Sequence, residues 1–340
     1  MLHIFLTAVN AVFPIVLMIL LGFWLRRKEL IDEGFVKKGN ALVFKLCLPC
    51  LFFVNIYDID QLSDLPWDTV IFCTVSVVVL FLLGMVFSVV TTKIPDRRGV
   101  IWQCCFRSNF NIIGITFAAQ LGGDEAAAVS AVIATLVVPI FNILAVIALS
   151  VFLRDEAGHK PRFSKILLDI VKNPLIIAAA AGIACLGIRA LQQRLFGSVL
   201  FALNRELEFV YSVLKNLKSI TTPLALLVLG GQFKFGVVKG LIKEIAAGSV
   251  FRLVIAPVLG IGIALLLDRE FGLVTCDATT IPAMLALFGS PVAVSSAVMA
   301  SQMGNDEQLS AQLVVWTSIG SILTLFVLVC LLMGTGLLVV

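Results

Sequence analysis

Long apolar runs alternate with short charged or turn-forming breaks along the whole chain. An α-helix rises about 1.5 Å per residue, so a hydrocarbon core of roughly 30 Å takes about 20 helical residues per crossing. Runs of that kind are predicted near 4–25, 38–56, 69–91, 99–121, 126–152, 172–190, 219–233, 243–267, 279–303 and 308–336, here spans 1 to 10, with span 7 the shortest. The pattern therefore predicts an all-α polytopic membrane protein with ten transmembrane helices. Span 1 contains Pro14 and is followed by Arg26, Arg27 and Lys28, without the basic start or small-residue cleavage site of a removed signal peptide, so it is expected to be a mature span. Composition agrees: of 340 residues 60% are hydrophobic and 14% charged, and the mean hydropathy is +1.08, too apolar for a water-soluble domain of this length.

Lysine and arginine crowd the connections between spans 1 and 2, 3 and 4, 5 and 6, and 7 and 8. The positive-inside rule places those connections in the cytoplasm of a cell inner membrane and both termini outside it. The connection between spans 6 and 7 runs against this count with Arg189, Arg194, Arg205, Lys215 and Lys218, and it also carries Glu206 and Glu208, so an interfacial amphipathic helix is an alternative to a plain loop there. The net charge of +4 is thereby a topology signal and not a binding patch; the bilayer is the expected partner and nucleic acid is not.

The two halves of the chain echo each other. Pro14 to Gly22 in span 1 has the spacing of Pro174 to Gly182 in span 6; Pro49 in span 2 answers Pro223 in span 7, and Gly84 in span 3 answers Gly260 in span 8. Span 4 ends in Gln120-Leu-Gly-Gly-Asp-Glu125 and span 9 in Gln302-Met-Gly-Asn-Asp-Glu307. Five spans per half is an odd number, so the second half enters the membrane from the opposite side. The expected organisation is a five-helix repeat over 1–153, a cytoplasmic linker over 154–171 and an inverted five-helix repeat over 172–340. Inverted repeats of this kind are the architecture of secondary transporters, whose sites lie at the repeat interface near the midplane.

Such sites use interrupted helices, because unwound backbone is tolerated at membrane depth only where it lines a cavity. Polar and helix-breaking residues cluster mid-span in span 4, from Ser108, Asn109 and Asn111 to Gly114, and in span 9, at Ser290, Pro291 and Ser295. The repeat register sets Ser108 on Ser290 and Asn109 on Pro291. Spans 4 and 9 are accordingly expected to break and cross there, the alternative being close helix packing through small residues. Leu48-Pro49 and Thr222-Pro223 form a second pair, where proline would free backbone acceptors or merely kink the helix.

All Asp and Glu residues fall in loops or span ends, whereas Lys45, Arg107 and Arg252 lie within or near span interiors. An interior with cations, amides and no carboxylate suits an anionic solute; the competing reading is that these three snorkel to the interface. Cys47-Leu-Pro-Cys50 has a redox or metal spacing, but a proline-adjacent packing role is favoured, and with only His3 and His159 in the chain no metal site or other cofactor is expected. Coupling to H+ or Na+ is left open.

Phe13-Pro14 through Gly22-Phe23-Trp24-Leu25-Arg26-Arg27, Leu48-Pro49, Asn109 five before Gly114, Lys172-Asn173-Pro174, and Gln302 through Glu307, taken in order, resemble the auxin efflux carrier family over nearly the whole chain. The resemblance implies ten helices in two inverted repeats, a crossover of broken helices 4 and 9, and movement of small organic anions such as malonate or malate. It also implies that Asn109 binds a carboxylate, that the backbone at Leu48 contacts the solute, and that Asn173 or its neighbourhood contributes a further contact. The chain departs from the family at Thr116 and Ser296, where proline is usual, and its connection between spans 5 and 6 is short, as in bacterial relatives.

The resulting expectation is a secondary carrier of a mono- or dicarboxylate by alternating access, with substrate-binding candidates Leu48, Pro49, Ser108, Asn109, Asn111, Asn173, Thr222, Arg252, Ser290, Pro291 and Ser295, and helix breaks at Pro49, Gly114, Pro223 and Pro291. A channel or non-transporting sensor of the same fold is the alternative, and a homodimer stays open. An enzyme is disfavoured by the absence of a His-Glu-x-x-His motif and of a mid-membrane aspartate pair, and an ATP-driven pump by the absence of a Walker motif.

Overall fold

A computed structural model describes residues 2–58, 66–153 and 163–338, and among these the regular structure is helical, apart from an isolated antiparallel bridge between Ser108 and Val292. In lipid each backbone N–H and C=O must be satisfied within the segment, which a helix does and an open strand does not. Among the described residues seven helices are long and apolar enough to cross a membrane: α2 (Glu33–Tyr57), α3 (Trp67–Thr91), α5 (Ile115–Val151), α7 (Pro174–Phe196), α9 (Glu208–Gln232), α10 (Val238–Phe271) and α13 (Glu307–Gly334). Between and before them lie α1 (Leu2–Arg27), α4 (Pro95–Phe106), α6 (Phe163–Lys172), the short α8 (Leu203–Glu206), α11 (Thr280–Gly289) and α12 (Val294–Gln302). The chain is a multi-pass membrane protein.

Several element boundaries differ from the hydropathy reading. Span 7 was expected over 219–233, yet α9 starts at Glu208, because helix ends leaving the hydrocarbon carry charged residues that a hydropathy window excludes. Lys215 and Lys218 thus stand on a helix and not on a connecting loop. Of the expected linker, 154–162 lies outside the described residues, and the remainder is helix α6, whose Leu167, Leu168 and Val171 are exposed. Spans 4 and 5 share one long helical run that reverses at Gly122 and Gly123; Gly123 has φ +70°, a conformation open to glycine at little cost.

Polar side chains gather at two poles. At one, Arg97 pairs with Glu244 (3.0 Å) and Asp306 (2.9 Å), and Gln232 Nε2 donates to Glu307. Arg26 and Lys234 both approach Glu33 there, at 3.7 and 3.9 Å. At the other, Asp58 accepts from the Tyr211 hydroxyl and meets Lys218 at 3.5 Å, Tyr57 donates to Asn204, and Asp68 accepts from Thr275. The first is the basic pole, since it holds the arginine- and lysine-rich turns after α1 and α3. Between the poles α1 packs on α9 and α2 on α7, while α11 lies on α5 and α10.

Candidate functional site

Midway between the poles two helices are interrupted side by side. α4 ends at Phe106 and Arg107 turns to extended backbone (φ −89°, ψ 101°). α11 ends at Gly289, Ser290 is likewise extended (φ −65°, ψ 147°), and α12 resumes at Val294. Pro291 dictates the second break, since its ring disfavours helical backbone at Ser290 and it carries no N–H. The first break has no proline; Ser108 and Asn109, whose side chains compete with the helix for backbone groups, stand there instead. The loose ends satisfy each other: Asn109 N–H donates to Pro291 O (2.7 Å) and Ala293 N–H to Arg107 O (3.4 Å). Beyond the break a π-helical turn, Phe110–Gly114, restarts the helix, and similar turns occur at Val43–Cys47, just before Leu48 and Pro49, and at Phe251–Ile255, which contains Arg252.

Two guanidiniums serve the breaks, and neither reaches the surface. Arg107 is 3% exposed; its Nη2 donates to Asn142 Oδ1 (2.8 Å) and Ser295 Oγ (2.9 Å), and its Nη1 lies against Met299 Sδ. No carboxylate pairs with it among the described residues. Arg252 is 1% exposed and turns to backbone alone: Ser290 O (3.0 Å), Leu287 O (3.2 Å), Phe288 O and Cys105 O (3.5 Å). These are the last carbonyls of α11 and α4, the orphan acceptors of a helix C-terminus. Lys45, the third interior cation, is exposed on the outer face of α2.

Arg107, Ser108, Asn109, Asn111, Asn142 and Ser295 line a cavity of about 60 Å³, closed on its other side by Leu48 and Thr222. Phe52, Asn111, Val138 and Asn142 also line a second cavity of about 320 Å³, which reaches Asn55, Asp58, Thr135 and Lys218. The two cavities share these walls, and the larger one extends to Asp58 and Lys218 at the pole opposite the basic one. Asn109 Nδ2, Asn142 Nδ2, Asn55 Nδ2 and Ser108 Oγ are buried without a hydrogen-bond partner. Buried donors left unpaired are costly, and the three unpaired amide nitrogens among the described residues all line one or the other of these cavities, which marks a place for a ligand that accepts hydrogen bonds.

Of the residues singled out from sequence, Leu48, Ser108, Asn109, Asn111, Thr222 and Ser295 meet at the cavity. Pro49, Asn173, Ser290, Pro291 and Arg252 do not line it. Asn173 caps α7, accepting from Leu175 N–H at 2.9 Å. Helices α2 and α9 run unbroken through Pro49 and Pro223, and Gly114 lies inside the π-helical turn beyond the break, not at it. Sequence reasoning did not select Asn142, Asn55 or Thr135, and it weighed Arg107 as an interior cation suited to an anion against a residue snorkelling to the interface, without placing it among the site residues. Asn142 had a signal: a lone amide three residues after Pro139 in an apolar run, expensive in lipid without a partner.

A family model described as membrane transport protein matches residues 7–329. An uncharacterized transporter of Methanocaldococcus jannaschii is 25% identical over 261 residues, covering 73% of this chain and 76% of the relative.

Proposed function

The chain belongs to the membrane transport protein family, that of the auxin efflux carriers, and on that premise we propose that it is a secondary carrier moving a small organic anion, a mono- or dicarboxylate such as malonate or malate, by alternating access. One observation carries the reading: the buried Arg107 guanidinium, without a carboxylate partner among the described residues, borders the crossover cavity beside three unpaired amide or hydroxyl donors. A resident cation lacking a counter-ion is stabilised when an anion arrives, which is the differential interaction a carrier needs. The helix polarity adds to it. The C-terminal ends of α4 and α11 meet at Arg252, leaving the N-terminal ends of the restarted helices, with their positive dipoles, at Asn109 and Ser295 on the cavity wall.

The proposed architecture is ten crossings in two inverted five-helix repeats, with α1 as span 1, α4 and the start of α5 as span 4, and α11 with α12 as span 9. Repeat-related contacts support it. A Cβ on Gly22 would lie 2.2 Å from Leu227 O, and one on Gly182 would lie 3.2 Å from Phe53 O, so each half presses its first-helix glycine on the second helix of the other half. Gly84 against Cys105 and Gly260 against Phe288 repeat the relation at the first segments of the two broken helices. With the basic pole in the cytoplasm, the larger cavity opens outward, the Arg97 ion pairs close the inner side, and both termini are extracytoplasmic.

Uptake of labelled acetate, malonate and malate into proteoliposomes tests the proposal under imposed proton and sodium gradients. Saturable uptake of at least one acid, lost in Asn109→Ala, is expected. Absence of uptake of every acid by correctly folded protein would overturn the substrate class, and non-saturable flux would favour a channel.

A further inference from the structure

We infer that Arg252 is a positioning residue for the anion site: its guanidinium joins the carbonyl ends of the two broken helices, and through them fixes the place and the potential of Asn109 and Ser295. The inference rests on the proposed carrier reading for its binding consequence, but not for its structural one.

Arg252 was a substrate-binding candidate by residue type, and the geometry gives it a different task. Its three nitrogens reach Cys105 O on α4 and Leu287, Phe288 and Ser290 O on α11, while the cavity lining stops short of it. The two helices approach from opposite poles, so their negative ends converge on one point inside the membrane. Two aligned helix C-termini repel each other and their last carbonyls lack partners. One planar fork with five donors meets both needs, and a lysine, with a single point of charge, does not.

The π-helical turn Phe251–Ile255 supplies the reach. An extra residue in one turn displaces the side chains of α10 locally, which brings Arg252 to the gap between the helix ends rather than to the lipid side, where its neighbours Val250 and Val254 stand exposed. Gly260 lets α10 approach α11 closely, a Cβ there falling 2.4 Å from the Phe288 ring. Cys105 lies two and four residues before Arg107 and Asn109, and Ser290 lies five before Ser295. Loosening the join therefore moves cavity residues that Arg252 itself does not touch.

Wild type, R252K and R252Q should be compared in two measurements. In hydrogen exchange by mass spectrometry, amides of 105–111 and of 287–295 are expected to lose protection together, by about tenfold or more in R252Q, while α1 and α9 keep theirs. In proteoliposomes, using whichever of acetate, malonate or malate shows saturable uptake, KM is expected to rise about tenfold in R252Q and about threefold in R252K, while Vmax follows the folded fraction. A purely structural role would lower Vmax and leave KM alone, and that result would overturn the inference. So would exchange that changes at one break only, or at neither. If R252Q does not fold, R252K decides, and exchange and KM equal to wild type would overturn the idea. If wild type takes up none of the three acids, the carrier reading falls, and the exchange measurement still decides whether Arg252 joins the breaks.

Discussion

Arg107 and Arg252 are alike in sequence terms and opposite in use. Each is a cation buried at membrane depth, 3% and 1% exposed, beside the same pair of helix breaks and without a carboxylate among the described residues. Arg252 spends its donors on main-chain carbonyls, which are fixed and face no cavity. Arg107 spends its donors on side chains of two other helices, Asn142 and Ser295, and lies on the cavity wall where those partners can turn toward a solute. Residue type and depth do not separate the two arginines; the kind of acceptor does. Backbone acceptors cannot rearrange without moving the helix, whereas side-chain acceptors can be exchanged for an incoming anion.

The contrast is broken most severely by removing each cation in turn. Arg252→Met leaves four buried carbonyls without their donor, each costing about 1–3 kcal/mol, so the variant is expected to lose most of its monodisperse yield in detergent. Arg107→Met has the opposite balance. It removes a cation whose desolvation no counter-ion offsets, so the melting temperature should hold or rise while uptake falls by about a hundredfold or more. Finding both variants equally unstable would erase the distinction between the two arginines.

A milder change sharpens it. Asn142→Asp sets a carboxylate 2.8 Å from the Arg107 guanidinium, where the amide oxygen now stands. The resident ion pair should raise thermal stability and reduce anion uptake by about thirtyfold, more than Asn142→Ala does, because the solute must now compete with a built-in carboxylate. Uptake lowered less by Asp than by Ala would mean that the solute is not recognised through this guanidinium.

How much of this could be read from the sequence depended on the range of the interaction. That the chain is built of long apolar helices followed from hydropathy, because lipid imposes it locally, residue by residue. The break in α11 was legible in Pro291, a covalent constraint, and the one in α4 in the pair Ser108 and Asn109. Pro49 and Pro223, just as conspicuous, leave their helices unbroken, with a π-helical turn preceding Pro49; tertiary packing decides such outcomes. The tasks of Arg107 and Arg252 were not legible, since they depend on partners 35 or more positions away: Asn142 and Ser295 for one, Cys105 and Ser290 for the other.

The smallest effect gives the finest test, because it compares two serines on either side of one break. Ser295 accepts from Arg107 at 2.9 Å and lines the cavity; Ser290 lies five residues earlier, and it is its carbonyl, not its hydroxyl, that accepts from Arg252 at 3.0 Å. Ser295→Ala removes an acceptor from a charged donor, an interaction in the range of about 1.5–3 kcal/mol before the freed guanidinium finds the solute or Asn142 instead, so a KM change of about fivefold is expected. Ser290→Ala leaves its carbonyl in place, so Arg252 keeps its partner and KM should stay within about twofold of wild type, the hydroxyl bonding only back to Ala286 O within its own helix. Parallel uptake curves for the two variants decide the matter. A larger KM shift for Ser290→Ala than for Ser295→Ala would place the solute on the Arg252 side of the break and exchange the tasks assigned to the two arginines.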